Sequence, residues 1–309
     1  MANQSRRHHY IPIFLTKNFT KENGKIYIYD KLTDKVFDGH PNNIFIEKDR
    51  NTFLNEEDLR DDRIEKMYAD LDTIFATTIA QIKVNGDLNN GKLKILLFLA
   101  YIIKWRVPQY DESFDDAKNI FSVDDLGLGF KDEKDEKLDI NLEQFFDKEM
   151  YQEIKRFLLA IQPFRFKEDF KKIIDNSFVI ASGYPALIGD CPFNEIHINS
   201  EEIFEDFVFP FTENLTLVYS QRIDKFDIQD FLNNGDIDNV DKFLKDFSMA
   251  RDLSTMALSG RFTGSSDEEY LKNFVYHYKI GLQSDNLSKT MSTAIFQFLY
   301  KYKDYNNTK

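Results

Sequence analysis

Two neighbouring apolar stretches constrain the fold of this chain more than any other feature. Between residues 64 and 82 the large apolar side chains recur every three or four positions, which is the spacing of one buried helix face. Asn85-Gly86-Asp87 ends that helix, and residues 92–106 form a second predicted helix that is apolar on most sides. Such a helix must be covered all round, so we expect it at the centre of the molecule.

The other patterns predict further helices and two β regions. Helical spacing recurs over residues 142–162, 240–258, 270–280 and 291–302. Alternating apolar residues predict a hairpin over residues 25–37, and short strands with a second hairpin within residues 177–220. We therefore predict an α+β fold: a mainly helical body with two small antiparallel β elements.

The chain contains no linker rich in Pro, Gly or Ser and no internal repeat, so its 309 residues are predicted to form a single domain. Within it we distinguish three parts, which are an N-terminal strap and β-hairpin (1–58), an acidic insert (111–149) and the second β element (177–220). The single cysteine, Cys191, allows no intramolecular disulfide and suits a reducing compartment. We expect a cytoplasmic protein without a signal peptide or a membrane span.

The first twenty residues carry three cations and no acid, in a protein whose formal net charge is −13. Two histidines, His8 and His9, are adjacent there, and histidine can serve acid–base, metal-binding or phosphate-binding roles. Successive side chains of an extended segment point to opposite faces, so only one of the two can face a given pocket. The structural alternative is a strap packed on the core, with one histidine bonded inside and the other solvated.

The opening motif also carries a family resemblance. His8-His9-Tyr10-Ile11-Pro12, followed by Phe14-Leu15 and Asn18-Phe19, resembles the start of the bacterial family catalogued as domain of unknown function 4238. Four later stretches are similar to elements of the same family: Pro41-Asn42-Asn43-Ile44, Arg106-Val107-Pro108, Gly189-Asp190-Cys191-Pro192 and Phe209-Pro210-Phe211-Thr212. The resemblance implies a bacterial origin and a shared fold, and no particular activity. Gly189 stands where serine is usual, so a role that needs a hydroxyl group there is not expected.

The negative charge is concentrated in the acidic insert. Residues 111–149 contain fourteen acids and five lysines, a net charge of −9, which leaves −4 for the other 270 residues. The simplest interpretation is a solvated segment, and the alternative is a lobe that docks a protein partner or mimics nucleic acid. The overall negative charge argues against an extended surface that binds nucleic acid, but it is compatible with an anionic ligand near the basic N-terminus.

Common catalytic motifs are missing from the sequence. There is no Gly-x-x-x-x-Gly-Lys, Gly-x-Gly-x-x-Gly, His-Glu-x-x-His, Cys-x-x-Cys or Gly-x-Ser-x-Gly. This disfavours nucleotide-driven motors, the common zinc peptidases and α/β-hydrolases.

Polar residues at the ends of apolar elements remain as candidates. Glu47 follows a short apolar run, Arg106 ends the second helix, and Asp190 stands between Gly189 and a Cys-Pro turn. Each has a structural alternative: a charged surface for Glu47, a helix cap or ion pair for Arg106, and a turn that bonds its own backbone for Asp190. Cys191 is expected to be a buried small residue.

Two hypotheses follow. In the first, the chain is a nuclease or phosphodiesterase, a possible toxin or phage-defence effector, that acts on nucleic acid or a nucleotide with or without a divalent metal ion. Its catalytic residues would be His8 or His9, Glu47 and Asp190 in one pocket, and its binding residues would be Tyr10, Lys17, Asn18, Lys48 and Arg106. In the second, the same cluster closes the fold or holds a small anion or a protein partner without catalysis.

Overall fold

A computed structural model describes residues 6–51, 53–54, 60–61, 63–120, 130–131, 134, 137–138, 149–196 and 205–306. The helices are α1 (Ile13–Lys17), α2 (Arg63–Asn85), α3 (Asn90–Arg106), α4 (Asp111–Ile120), α5 (Glu149–Ile161), α6 (Lys167–Asp175), α7 (Lys225–Asn234), α8 (Ile237–Leu258), α9 (Glu268–Gly281), α10 (Asp285–Ser292), α11 (Ala294–Leu299) and α12 (Lys303–Asn306). This architecture confirms the α+β class with a mainly helical body.

The central position predicted for α3 is what the structure shows. Every residue from Leu99 to its end is buried, including the charged Lys104 and Arg106. Its Tyr101 ring lies edge-on to Phe164 and Phe207, with centroids 5.6 Å apart in each case. The helix stops at Arg106 because Val107 precedes a proline and takes an extended conformation (φ −83°, ψ 143°).

The described residues form more β-sheets than the two small β elements that the sequence predicts. Among the described residues the longer strands are β1 (Arg7–His9), β2 (Ile26–Asp30), β3 (Lys35–Gly39), β4 (Ile46–Lys48), β9 (Ser177–Ala181), β12 (Phe207–Pro210), β13 (Leu215–Tyr219) and β14 (Phe262–Ser265). Two-residue strands are β5 (Phe53–Leu54), β6 (Arg60–Asp61), β7 (Phe130–Lys131), β8 (Lys137–Leu138), β10 (Ile188–Gly189) and β11 (Asn194–Glu195). They form two four-stranded antiparallel sheets and several two-stranded ones.

The first four-stranded sheet has the order β10-β14-β2-β3 and contains the predicted N-terminal hairpin. Its other two strands come from distant parts of the chain, since Ile28 pairs with Gly264 and Gly264 with Ile188. Residues 186–188 were predicted to belong to the second β element, and this is wrong for Ile188, which lies in the first sheet. Strand β10 pairs instead with β14 of the first sheet, and strand pairing is a long-range property that the local sequence does not determine.

The second four-stranded sheet has the order β11-β12-β13-β9 and accounts for the predicted hairpin of residues 206–220. Apolar residues on one face join the same core as α3, whereas Phe178, Ile180, Val208 and Val218 on the other pack against α7, α8 and α11. Because both faces are covered, β12 is apolar throughout and β9 and β13 are apolar at most positions.

Several short helices were not predicted from the sequence. They are α1, α6, α7 and α12, and each has at most ten residues, too few for a clear helical period. The segment predicted as one helix over 291–302 is broken at Thr293, between α10 and α11. Most of the predicted acidic insert lies outside the described residues, including residues 142–148 of the predicted third helix.

The N-terminal strap is held by strand pairing and by the core. Strand β1 pairs antiparallel with β4, and the Tyr10 N–H donates to the Phe45 carbonyl at 3.1 Å. Phe45 takes a left-handed conformation (φ 55°), which costs a non-glycine residue ~1 kcal/mol. Pro12 then begins α1, which buries Leu15.

Within the described part of the chain, every helix is too short or too polar to cross a membrane.

Candidate functional site

One open cleft lies where the N-terminal strap, α1, α2 and the end of α3 meet. We call it the first cleft; its volume is about 510 Å³. Its lining residues are His9, Ile13, Phe14, Lys17, Glu65, Ala69, Asp72, Thr73, Ala76, Thr77 and Arg106. It therefore brings together three predicted site residues: His9, Lys17 and Arg106.

His9 faces this cleft from the end of β1. Burial lowers the pKa of its imidazole, and the positive charge of Arg106 acts in the same direction, while a hydrogen bond to the Asn42 backbone opposes them. Its Nε2 is shielded from solvent and has no hydrogen-bond partner among the described residues. A buried nitrogen without a partner costs ~1–3 kcal/mol, and such groups often belong to functional sites or meet an ordered water.

Arg106 connects the strap to the helices. Its Nη2 donates to the His9 carbonyl at 2.6 Å, and its Nη1 lies 3.2 Å from Asp72 Oδ1. The guanidinium also covers the Tyr68 ring, 4.4 Å from the centroid, and its Nε has no partner in the described structure. Arg106 is thus neither a simple helix cap nor a free anion clamp, because it holds the backbone of the predicted catalytic histidine.

Two acids on α2 complete the cleft, and the sequence analysis missed both. Burial raises the pKa of Asp72, with the positive charge of Arg106 acting against it. Glu65 lies two helical turns earlier on the same face and accepts a hydrogen bond from Asn51 Nδ2 at 2.8 Å. The sequence does contain a pattern that could have identified these two acids. Four residues follow helical spacing, and the small alanine side chains leave room beside the acids: Glu65, Ala69, Asp72 and Ala76.

The other binding candidates at this end have different positions. Lys17 is exposed at the rim of the first cleft. Asn18 joins two distant segments, since its Nδ2 donates to the Phe14 and Phe211 carbonyls at 3.3 and 3.4 Å. Tyr10 packs edge-on to Phe45, and burial raises the pKa of its hydroxyl. Asn18 and Tyr10 therefore hold the strap on the core.

His8 and Glu47 form a direct cross-strand pair between β1 and β4, on the face opposite His9. His8 is buried and its Nδ1 accepts the Asn51 N–H at 2.8 Å. Glu47 pairs with Arg50 at 2.6 Å, and Arg50 also donates to the Arg106 carbonyl at 3.2 Å. Neither His8 nor Glu47 lines the described first cleft, and both have structural partners. Lys48, opposite Arg7 on the strand, is exposed.

Asp190 does not lie in the first cleft, so the predicted single pocket of His9, Glu47 and Asp190 is not what the structure contains. Its Oδ1 accepts from the Gly260 N–H at 2.7 Å and from Gln109 Nε2 at 2.9 Å. Its Oδ2 accepts from the N–H groups of Arg261 and Phe262 at 2.7 and 2.9 Å. Burial raises the pKa of this carboxyl, while the three backbone donors lower it. Asp190 therefore anchors a loop.

The neighbouring Gly189 is explained by the same loop. A Cβ atom at this position would lie 2.1 Å from Ser259 Oγ, so the residue must be glycine unless Ser259 moves. Cys191 is buried, and burial raises its pKa, as suits the predicted packing role rather than a nucleophile.

Metal binding finds little support in the side-chain geometry. Across the described ranges, no three His, Cys, Asp or Glu side chains are grouped so that they could hold a metal ion. In the first cleft, His9 and Asp72 would be the natural ligands, but Arg106 already occupies Asp72 Oδ1.

Comparison with known proteins gives one match. A family model described as "Protein of unknown function (DUF4238)" matches residues 7–249. Neither the curated proteins nor the solved structures contain a significant match. The matched range contains the His-His-Tyr-x-Pro opening and all residues of the first cleft. This coverage of most of the chain shows that the protein belongs to the DUF4238 family.

Proposed function

We propose that the first cleft is an acid–base site that hydrolyses a phosphodiester bond. The observation that supports this most directly is the pairing of His9, whose pKa is lowered, with Asp72, whose pKa is raised, in one cleft. Neighbouring groups whose environments move their pKa values in opposite directions are typical of a general base and a general acid.

The roles follow from these shifts. Neutral His9 would take the proton from an attacking water as the water oxygen bonds to phosphorus, which requires the side chains that shield Nε2 to move and admit that water. Asp72, whose raised pKa favours its protonated form, would give a proton to the leaving oxygen as the P–O bond breaks, so that charge and protons balance. Lys17 at the rim and the Arg106 guanidinium would offset the negative charge that develops on the phosphoryl oxygens.

The size of the cleft limits the substrate. About 510 Å³ is the size of an ordinary small-molecule site, sufficient for one phosphodiester and its neighbouring nucleosides. A protein of net charge −13 also has little general attraction for a long polyanion. We therefore propose a nucleotide, or one linkage within a flexible strand, as the substrate, in a toxin or phage-defence setting.

A second candidate function is binding of a small anion, or of a segment of a partner protein, without catalysis. It is favoured by the contacts of Arg106, which already uses two of its nitrogens on His9 and Asp72 and so stabilises the closed fold. In this case the first cleft would bind a ligand without turning it over.

A cleavage assay distinguishes the two proposed functions. The purified protein is incubated with labelled RNA and DNA oligonucleotides and with bis(p-nitrophenyl) phosphate, each with and without Mg²⁺ or Mn²⁺. Cleavage of any of these supports the hydrolase. The protein is also expressed in a bacterial culture, and growth and the integrity of cellular RNA and DNA are followed over time. Intact substrates in every condition, together with normal growth, would contradict the hydrolase and leave the binding function.

A further inference from the structure

Two exposed cations, Arg7 and Lys48, lie on the strap beside the first cleft. We call them the cation pair. They are directly opposite each other in the register of β1 and β4, so their side chains leave the same face, with Cβ atoms about 4.5–5.5 Å apart. Like charges in this arrangement destabilise a strand pair, and an anion bound between them would offset the repulsion. Because both residues are exposed, a ligand can reach them.

The acids next to the cation pair are bonded to other cations. Asp49 follows Lys48 and lies 2.6 Å from Arg6 Nη2. Glu47 is on the opposite face of β4 and lies 2.6 Å from Arg50 Nη1. Among the described residues, no acid forms an ion pair with Lys48. An anionic ligand would therefore contact Lys48 without displacing a described ion pair.

Arg7 lies next to the proposed base, His9. Residues 7 and 9 of a strand point to the same face. Arg7 Nη2 donates to the Asn42 carbonyl at 3.4 Å, and the Asn42 backbone also bonds the His9 imidazole. A further hydrogen bond, from Arg7 Nη2 to Asn43 Oδ1 at 3.1 Å, orients the guanidinium. The cation pair is therefore adjacent to the first cleft, on its solvent-exposed side.

We infer that this edge of the strap binds a single strand of nucleic acid, with one phosphate at the cation pair and the next linkage in the first cleft. A nucleotide with one phosphate, placed in the first cleft, would leave the cation pair without a ligand. A strand carries a phosphate at every linkage and can supply both positions. The inference rests on the proposed function for the chemistry of the linkage in the cleft.

The first cleft favours a single strand over a duplex. Its volume of about 510 Å³ holds one linkage and its neighbouring nucleosides. A duplex would have to unpair and unstack before one strand could enter, whereas a single strand does not pay that energy. Lys17 on α1 is exposed at the rim, and the 3-10 turn Pro41–Asn43 packs against α1. Cations on the strap and on α1 thus border the cleft and suit a short contact with a strand.

Fluorescence anisotropy with a labelled single strand of about 12 nucleotides, as RNA and as DNA, tests the inference. Every protein in the series carries His9→Gln, which removes the proposed base and keeps the strand intact. We expect Arg7→Gln combined with Lys48→Gln to weaken binding about tenfold at low salt. The slope of log Kd against log salt concentration should fall by about 1.4, since each phosphate contact on a single strand contributes about 0.7.

The matched control is Lys35→Gln combined with Arg165→Gln. It makes the same change in net charge at two exposed positions outside the first cleft. It should leave binding within about twofold of the His9→Gln parent. Equal weakening by the two double variants would show that only overall charge matters, and this overturns the inference. So does a parent that binds no strand, or one that binds a duplex of the same sequence as tightly.

Cleavage is measured separately, with His9 in place. Strand binding that depends on the cation pair, without cleavage of any phosphodiester, supports the binding edge and contradicts the proposed hydrolase. Cleavage of bis(p-nitrophenyl) phosphate by a protein that binds no strand overturns this inference and leaves the proposed hydrolase standing.

Discussion

The guanidinium of Arg106 donates to the backbone carbonyl of His9 across 2.6 Å, although the two residues are 97 positions apart. The Arg-x-Pro and His-His-Tyr-x-Pro motifs are therefore parts of one structural unit. The same guanidinium reaches Asp72 at 3.2 Å, so a single side chain connects the proposed base with the proposed acid. The first cleft depends on this connection.

Arg106→Met should destabilise the protein by about 3 kcal/mol. The substitution removes the donor to the His9 carbonyl and the donor to Asp72, and losing two hydrogen bonds from a buried guanidinium costs on this scale. Urea denaturation followed by circular dichroism measures the change. Arg165→Met at an exposed position is the matched control and should leave the midpoint unchanged. Equal midpoints for both variants would show that Arg106 does not hold the strap.

Asp190→Asn should cost about 2 kcal/mol of stability and leave first-cleft activity at the wild-type level. An amide retains one acceptor oxygen for the four donors that the carboxylate serves, and it turns an N–H group towards the backbone donors. Denaturation and a cleavage assay on the folded variant measure the two effects separately. Lost activity in a fully folded Asp190→Asn protein would return Asp190 to the catalytic set.

His9 should contribute a rise in stability with pH through a window just below 6.5. The pKa of His9 is lowered from 6.5 by burial, so the unfolded chain binds more protons than the folded one between the two values. Stability is therefore lost as the pH falls through this window. Urea midpoints at about pH 5 and about pH 7 should differ less in His9→Gln than in wild type. An unchanged difference would show that His9 is not desolvated.

A buried ion pair offers a further test of the core. Lys104 Nζ lies 2.8 Å from Glu195 Oε2, both side chains are 2% exposed, and burial raises the pKa of Glu195. Lys104→Met should cost ~3–5 kcal/mol because it leaves a buried charge unpaired, whereas Lys104→Met with Glu195→Met should recover most of the loss. A double-mutant cycle from urea denaturation measures this coupling. Strictly additive losses would contradict direct pairing.

The sequence predicted the long helices well because they depend on local periodicity. The apolar stripe of α2 and the nearly all-apolar α3 determine their own burial, and Pro108 determines where α3 ends. The sheets were predicted less well, since strand pairing is a long-range property. Nothing near Gly189 indicates that its partner is Thr263, because that choice depends on how α8 and α9 bring β14 back to β2.

The candidate site was predicted in part for the same reason. His9 and Arg106 were chosen from their motifs, and the structure brings them together. Asp72 was overlooked because an acid among the apolar residues of α2 looked like its solvated face. Asp190 was predicted to be catalytic because a rigid turn presents it. Its carboxylate is instead bonded to the N–H groups of Gly260 and Arg261, which are 70 and 71 positions away in the sequence. Such partners are found only in the folded chain.

The most direct test of the central claim is the rate of phosphodiester cleavage by His9→Gln, compared with wild type and with His277→Gln. His277 lies on α9, outside the described first cleft, and so controls for the loss of a histidine elsewhere. Wild type and His277→Gln should cleave at the same rate. His9→Gln should be slower by about 100-fold or more, the effect of removing a general base. Equal rates for all three folded proteins would contradict the assignment of the first cleft as the acid–base site.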